Sequence, residues 1–414
     1  TWTKIVNGLP DGAFTRVVRE DPVRRGLLYA GTETGLYVSW DDGASWQAFQ
    51  RNLPAVPVTD LTIKNDDLVV ATQGRAFWIL DDLTPLRRWD AKMAAEDAHL
   101  FPPRPSHRVQ TEKPDEDNPP KGVGENRPNG VLIHYWLKEK PGKGDIVKIE
   151  ILSGEKVIRS FSSERREHEG DLKEQAEKKE LEKDRDKPLE PKAGVNRFLW
   201  DMRVFKPTLA PKAVFNEGDK SPPKVGPGTY QVRLTVKGKA FTETAEVRPH
   251  PQGAATAEDL KAQFDLLAAI RDRLSETHET VLKVRDARDQ AKDIAERAER
   301  LGKGDALKKR SLALAEKLTA VELALTNPEI KADEDDLNYE PKLDHDFVNL
   351  AGIVASADRK PTAGSVKLYA VLKARLDGIV KEYDALIAGD VAEFNRAAQE
   401  AKMPLVAPAP KIEK

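Results

Sequence analysis

"SWDDGASW", Ser39 to Trp46, sets two tryptophans, two aspartates, one glycine and three small residues into eight positions. Three readings compete for it: a catalytic acid cluster, a metal loop, or a piece of scaffolding. Its surroundings decide between them. Trp2 and Trp46 stand 44 positions apart, and "TWTKIVNGLP" (1–10) agrees with "SWQAFQRNLP" (45–54), both reaching Leu-Pro at the same offset. Further on, "YAGTETGLYVSWDD" (29–42) matches "VVATQGRAFWILDD" (69–82), now 40 positions apart, so the second unit is about four residues shorter in its middle.

Each unit reads as four short strands, in the first Phe14–Arg19, Leu27–Ala30, Gly35–Ser39 and Trp46–Phe49. All are rich in β-branched and aromatic residues and bounded by Gly, Asp and Pro. A period near 40 with four strands per unit is the signature of a β-propeller blade. A ring needs about four to eight blades. Two units are therefore expected to be the last blades of a propeller whose remainder lies upstream, with Thr1-Trp2 the end of an earlier unit. The octapeptide then joins the third and fourth strands as a tight hairpin. Gly43 supplies a positive φ, Asp41 accepts hydrogen bonds from turn amides, and Ser39 and Ser45 do so more weakly. Trp46 opens the last strand and packs against the neighbouring blade.

The pattern Ser-x-Asp-x-Gly-x-Ser-Trp, carried by Ser39, Asp41, Gly43, Ser45 and Trp46, resembles the Asp-box of the BNR-repeat family of sialidases, sortilin-like receptors and several bacterial glycosidases. In that family the Asp-box is structural, and the resemblance implies a structural role for these five residues. Turns of an up-and-down unit alternate between its two ends, so the Asp-box turn lies opposite the second-to-third turns. Those are Thr32-Glu33-Thr34 and Thr72-Gln73-Gly74-Arg75, joined by the segments Asn7–Ala13 and Asn52–Val58. Propeller ligands sit at that end. Glu33 and Arg75 are the ligand-facing candidates, weighed against a reading as solvent-exposed turn residues. The second unit keeps Asp81-Asp82 but continues "LTPLRRW", a degenerate hairpin that fits a final blade.

Residues 91–128 read as a linker rich in Pro and charge, and the acidic "DEDN" (115–118) as solvated, since it lacks EF-hand spacing and a fixing glycine. Strand signals return at Gly130 and predict an immunoglobulin-like β-sandwich over 129–249. Within it "NRFLWDMR" (196–203) and "GPGTYQVRLTV" (226–236) resemble the FlgD-type Ig-like domain that trails such propellers in bacteria. The stretch 163–190 is an almost wholly charged insertion with no apolar stripe, expected to be flexible or a solvent-borne helix.

Composition changes again after Pro249, and 250–402 predict an antiparallel helical bundle. "TAEDL" (256–260) starts a helix at Thr256. Leu260, Phe264, Leu267, Leu274, Val281, Val284, Ala291, Ile294 and Leu301 form its stripe, and "GKG" (302–304) breaks it. Leu307, Ser311, Leu314, Leu318, Val321 and Leu325 define a second helix. Others fit 344–357, 363–388 and 390–402, the last opened by a capping box of Asp390 and Glu393. The acidic "DEDD" (333–336) falls in a loop, and 403–414 is a tail. A coiled coil with a partner, and so self-association through this region, is the alternative to a bundle.

The expected fold class is therefore multidomain β plus α: a partial β-propeller, an Ig-like β-sandwich and an antiparallel helical bundle. Basic and acidic residues nearly cancel, 67 against 69, so no global field points to nucleic acid or a membrane surface. No cysteine is present, which excludes disulfides, thiolate catalysis and sulfur-ligated zinc. No apolar run is long enough for a signal peptide or a membrane span. The seven histidines, His99, His107, His134, His168, His250, His278 and His345, form neither HxH nor HExxH, so no metal and no cofactor is expected. His278 lies on the first helix's apolar stripe and reads as a packed histidine. Neither a Gly-x-Ser-x-Gly elbow nor a phosphate loop occurs. With 69 acids, paired carboxylates for glycoside hydrolysis decide nothing, and no catalytic residue is assigned. Arg16, Arg19 and Arg75 invite comparison with a sialidase arginine cluster.

As a whole the chain resembles the C-terminal part of large bacterial BNR-repeat proteins with a sortilin-like propeller, which are commonly labelled glycosyl hydrolases by fold. The favoured expectation is an exported binding protein, periplasmic or extracellular, that grips a peptide, protein or glycan. The alternatives are a glycoside hydrolase with its catalytic residues upstream, and a structural assembly module.

Overall fold

A computed structural model describes residues 2–109, 124, 126–164, 187–302 and 305–403. The "DEDN" stretch, most of the charged insertion and nearly all of the C-terminal tail lie outside them. The fold is mixed β and α and divides into two units. One comprises Thr1–Glu164, Pro188–Met202 and Gly228–His250. The other comprises Arg203–Pro227 and the helices that follow Pro251.

The sequence repeat becomes two neighbouring antiparallel sheets. The first runs in chain order, β1 (Thr15–Glu20), β2 (Leu28–Thr32), β3 (Leu36–Ser39) and a two-residue β4 (Gln47–Ala48). The second has β5 (Val58–Lys64), β6 (Asp67–Thr72) and β7 (Phe77–Leu80). Strands β2 and β3 are buried along their whole length. Val17, Leu27, Tyr29 and Val38 share one core with Val58, Leu61, Leu68 and Val70 of the second sheet. The repeat also shows in the backbone: Asp42 (φ 58) and Asp82 (φ 65), 40 positions apart, both take the left-handed conformation.

Ser39, Asp41 and Ser45 bond one another within the turn. Ser39 Oγ donates to Asp41 Oδ1 (2.7 Å) and accepts from the Gly43 amide (2.9 Å). Asp41 also accepts from the Ser45 amide (2.9 Å) and the Ser45 hydroxyl. These bonds, the Ser45 hydroxyl first and then Ser39, hold the Asp41 carboxyl below its usual range. Gly43 has φ 85, a left-handed conformation that favours glycine. Trp46 is buried with Leu28, Ala30, Tyr37 and Leu9. Its indole N–H donates to the Ile5 carbonyl (2.9 Å), and its amide to that of Asn7 (2.8 Å). The tryptophan thus seals β1–β4 against the segment that precedes β1.

After Asp82 the chain makes no fourth strand. Asp82 accepts from the Thr84 amide (3.0 Å) and the chain enters a short helix, α1 (Thr84–Arg88), with Pro85 in its first turn, where a missing N–H costs nothing. Arg24 Nη1 donates to the carbonyls of Leu86 (3.0 Å), Arg87 (3.0 Å) and Trp89 (2.6 Å), which the end of a helix leaves without intrahelical partners. Trp40 Nε1 also donates to Leu86 (2.9 Å). Arg87 reaches both oxygens of the buried Asp21 (3.0 Å each) and pairs with Asp66. One side chain so joins the loop after β1 to the β5–β6 turn.

Residues 91–109, expected as a solvated linker, instead supply a helix and two strands. They form α2 (Ala91–Ala95), β8 (Ala98–Leu100) and β9 (Ser106–His107). With β10 (Val131–Leu137), β11 (Val147–Ser153), β12 (Lys156–Ser162), β13 (Gly194–Trp200), β14 (Gly228–Val236) and β15 (Lys239–Arg248) they build two sheets, ordered β13-β10-β8 and β12-β11-β14-β15-β9. Strands of three and two residues are too short to show alternation, and the prolines around them masked the apolar signal of Leu100 and Phe101, both buried. Rings join the two sheets, Trp200 to Tyr230 at 5.5 Å and Phe161 to Phe198 at 4.6 Å between centroids. Trp89 stands edge-on to Trp136 of β10 at 4.9 Å, and buried Asp82 lies 3.3 Å from His134. Burial alone would raise the Asp82 carboxyl, but His134 and Thr84 hold it below its usual range.

The second unit is helical. Thr256 caps α3 (Ala257–Arg300) in a reciprocal pair with Asp259, 3.2 Å each way. Its neighbour α4 (Asp305–Leu325) runs antiparallel, because partners rise along one helix as they fall along the other. Glu299 meets Lys308 (2.8 Å), Ala291 meets Ser311 (3.0 Å), and Arg285 meets Glu322 (2.7 Å). All six residues of the predicted α4 stripe are buried. On α3 most of the predicted stripe is inside, and Leu301, just past the helix end, is exposed.

The remaining helices are α5 (Leu343–Ala355), α6 (Ala363–Leu386) and α7 (Ala392–Glu400). The capping box expected at Asp390 and Glu393 is not formed. A wide turn over Ile387–Val391 carries α6 into α7 without a break, because such a bulge absorbs an extra residue while keeping the backbone bonded. Asp390 pairs instead with Lys317, and Glu393 with Arg310 (2.9 Å). Part of the range expected for the sandwich, Arg203–Pro227, packs on these helices.

All seven tryptophans lie in the first unit, so their fluorescence follows that unit alone in a urea titration. Ser39→Ala strands the Gly43 amide and is expected to cost about 1–3 kcal/mol. Arg87→Ala removes the guanidinium partner of buried Asp21, with an expected loss of about 3–5 kcal/mol. Wild-type midpoints in both variants would contradict these roles.

Candidate functional site

The two second-to-third turns are built alike. Thr32 Oγ1 donates to the Gly35 carbonyl (3.1 Å) and accepts from the Thr34 amide (3.2 Å). Forty positions on, Thr72 Oγ1 donates to the Ala76 carbonyl (2.7 Å). A threonine that closes its own turn is a local preference, which is why both copies keep it. Each turn also bonds the residue that leads into the first strand of its sheet: the Glu33 amide donates to Phe14 (3.3 Å), and the Gln73 amide to Pro57 (2.9 Å). The Ser39–Trp46 turn lies at the other end, where the Asp42 amide donates to Gly26 (3.0 Å) in the β1–β2 connection. Gln50 brings the segment between the sheets to the first end, accepting from the Leu36 amide (3.3 Å) and donating to the carbonyls of Leu53 (2.9 Å) and Pro54 (2.7 Å).

Glu33 and Arg75 therefore occupy equivalent turns, but they are not partners. Glu33 is half-buried and paired with Arg16, whose guanidinium stands 5.2 Å from the Phe14 ring. Arg75 is exposed and donates to the Gly74 carbonyl of its own turn (3.0 Å). Among the described residues no hydrogen bond or ion pair joins Glu33 to Arg75. The third arginine, Arg19, pairs with Asp60 (2.7 Å) and donates to the Leu61 carbonyl (2.9 Å), so Arg16, Arg19 and Arg75 each have separate partners.

Phe14, with 59% of its surface exposed, and Phe77, with 74%, add aromatic surface at the start of β1 and beside the β6–β7 turn. Grouping Phe14 with Arg16 was within reach of the sequence, since alternate residues of a strand share a face. This end presents an exposed guanidinium, an ion pair and two exposed rings. Glycoside hydrolysis asks for two carboxyl groups flanking one bond, and Glu33 is the one acid on these two turns.

Elsewhere, Asp335 of the acidic loop accepts from the Lys331 and Ala332 amides (2.9 Å each), which hold its carboxyl below the usual range. Among the described residues, no three His, Asp or Glu side chains converge in a geometry that could hold a metal ion. His278 and His345 form a buried pair in the helical unit. Periodicity put His278 on a core face, but the partner from α5 was not visible in sequence.

No family model and no curated protein matches the chain. Among solved structures, the extracellular domain of a hybrid two-component system from B. thetaiotaomicron is similar at 9% identity and a TM-score of 0.16. That match covers 58% of this chain and 26% of the other. Among the described residues, no helix is long and apolar enough to cross a membrane.

The Arg16–Glu33 pair is partly exposed, and such pairs contribute about 1 kcal/mol or less. Glu33→Gln is accordingly expected to shift the tryptophan-detected unfolding free energy by less than about 1 kcal/mol. A larger loss in urea would make Glu33 a structural residue.

Proposed function

We propose that the two N-terminal sheets are consecutive blades of an Asp-box β-propeller, followed by an Ig-like β-sandwich and an antiparallel helical bundle. On this reading the protein is an exported binding protein, and the propeller end that carries Glu33 and Arg75 holds a peptide or glycan. One observation carries the reading. The Ser39–Asp41–Gly43–Ser45 bond set closes one end of a four-stranded sheet in chain order, and its left-handed aspartate recurs at Asp82. That end is consumed by its own hydrogen bonds, whereas the opposite end displays Arg75, Phe14 and Phe77 to solvent. A guanidinium recognises carboxylates and hydroxyls, and exposed rings stack on the apolar faces of sugars and peptide side chains.

Peptide and glycan arrays probed with the full chain test the proposal. Arg75→Ala and Phe14→Ala are each expected to weaken the best hit at least about tenfold, the size of one lost charge-assisted bond or stacking contact. If neither variant changes binding, this end is not the recognition surface. Release of a reducing sugar from a bound glycan would favour the hydrolase instead.

A further inference from the structure

We propose that the segment Arg203–Pro227 is an acid-sensitive strap, seated on α3 and α5 by the contact of Phe215 with His278 and His345 and released when His278 takes up a proton. The strap leaves the first unit after Met202 and returns to it at Gly228. Ala210 is buried in the helical core and Leu209 packs against it. The Thr208 amide donates to Ser275 Oγ (3.0 Å), Arg271 donates to the Phe205 carbonyl (3.0 Å), and the Asp219 amide donates to the Val348 carbonyl (3.0 Å). Gly218 (φ 87) comes so close to α5 that a Cβ would lie 2.5 Å from the Val348 carbonyl oxygen. Phe215 lies over the buried histidines, edge-on to His278 with ring centroids 6.0 Å apart and tilted on His345 at 4.8 Å.

His278 is fully buried, and neither of its ring nitrogens has a hydrogen-bond partner. His345 uses Nδ1 on Asp344 (3.0 Å), while its Nε2 has no partner. A neutral imidazole tolerates such a site at a cost, but protonation adds a second N–H and a full charge with nowhere to place them. Asp344 on α5 favours a charge on His278, less strongly than burial opposes it, and is itself engaged by the amide and the ring of His345. Glu322 on α4 is held by Arg285 and Arg288 of α3. Arg285 itself opposes a charge on His278, as does His345. Arg375 on α6 is paired with Asp346, and Lys220 of the strap sits 5.9 Å from the Phe215 ring.

Burial dominates, and pushes His278 from 6.5 down to about 4. With the strap off, the side of the ring under Phe215 meets water and burial depresses it less. The open form then binds the proton more tightly, so release is favoured as pH falls from 6.5 toward 4, by up to roughly 300-fold at the lower limit.

The absence of cysteine makes a single-site label straightforward. A nitroxide on Glu217→Cys, an exposed strap position, is followed by electron paramagnetic resonance from about pH 7.5 to about pH 4.5, with helical circular dichroism recorded in parallel. The expected result is a mobile component that grows at least about tenfold on acidification while helix content is kept. In the His278→Leu background the label is expected to stay immobile throughout. His278→Met takes its place should the leucine variant lack the neutral-pH helical spectrum. A label that ignores pH, one that responds equally without His278, or one that loosens only as helix content collapses would each overturn the strap.

Discussion

The carboxylate of Asp41 accepts from Ser39 and from both the amide and the hydroxyl of Ser45, and the first sheet is closed by that bonding. It ends β3, turns the chain through Asp42 and Gly43, and delivers Trp46 to the face where Ile5 and Leu9 wait. Hydrogen bonds of this kind are worth little singly. Here they act together on one turn, and the turn decides which side chains reach the core. Three of its roughly four acceptor sites are taken up inside the turn.

The second sheet meets the same boundary differently. With the Ser and Gly of the turn replaced by "LTPLRRW", the chain cannot fold back as a fourth strand, and the left-handed Asp82 leads into α1. What the lost strand would have covered is met by arginine and tryptophan. Arg24 and Trp40 end α1, Arg87 joins two loops through Asp21 and Asp66, and Trp89 meets the ring of Trp136. The price is a chain of buried charges, Asp21, Asp82 and their partners, each stable only while its neighbour stays in place.

Much of this was legible, and unevenly so. The Ser39–Trp46 turn, the repeat and the helical stripes of α3 and α4 depend on neighbours in sequence, through turn chemistry and a period of two or of 3.6 residues. The site was half legible. Sequence located Glu33 and Arg75 on equivalent turns, but not that Arg16 pairs with Glu33 while Arg75 bonds only its own turn and stays exposed. Strands β8 and β9 were missed because their few residues are held by pairing with β10 and β15, not by any pattern of their own. The box at Asp390 and Glu393 satisfied a local rule, yet Lys317 and Arg310 from another helix took both side chains.

The sequence by itself determined where turns fall, which helix faces turn inward, and the bonding of the octapeptide, since each is settled within a few residues by φ preference, capping and periodicity. Only the tertiary structure decided what the long-range partners are: Arg87 with Asp21, His134 with Asp82, Phe215 with His278 and His345. Those choices depend on burial. A charge or an imidazole in water is indifferent to its neighbour, whereas the same group sealed from water is controlled by whichever side chain the fold sets beside it.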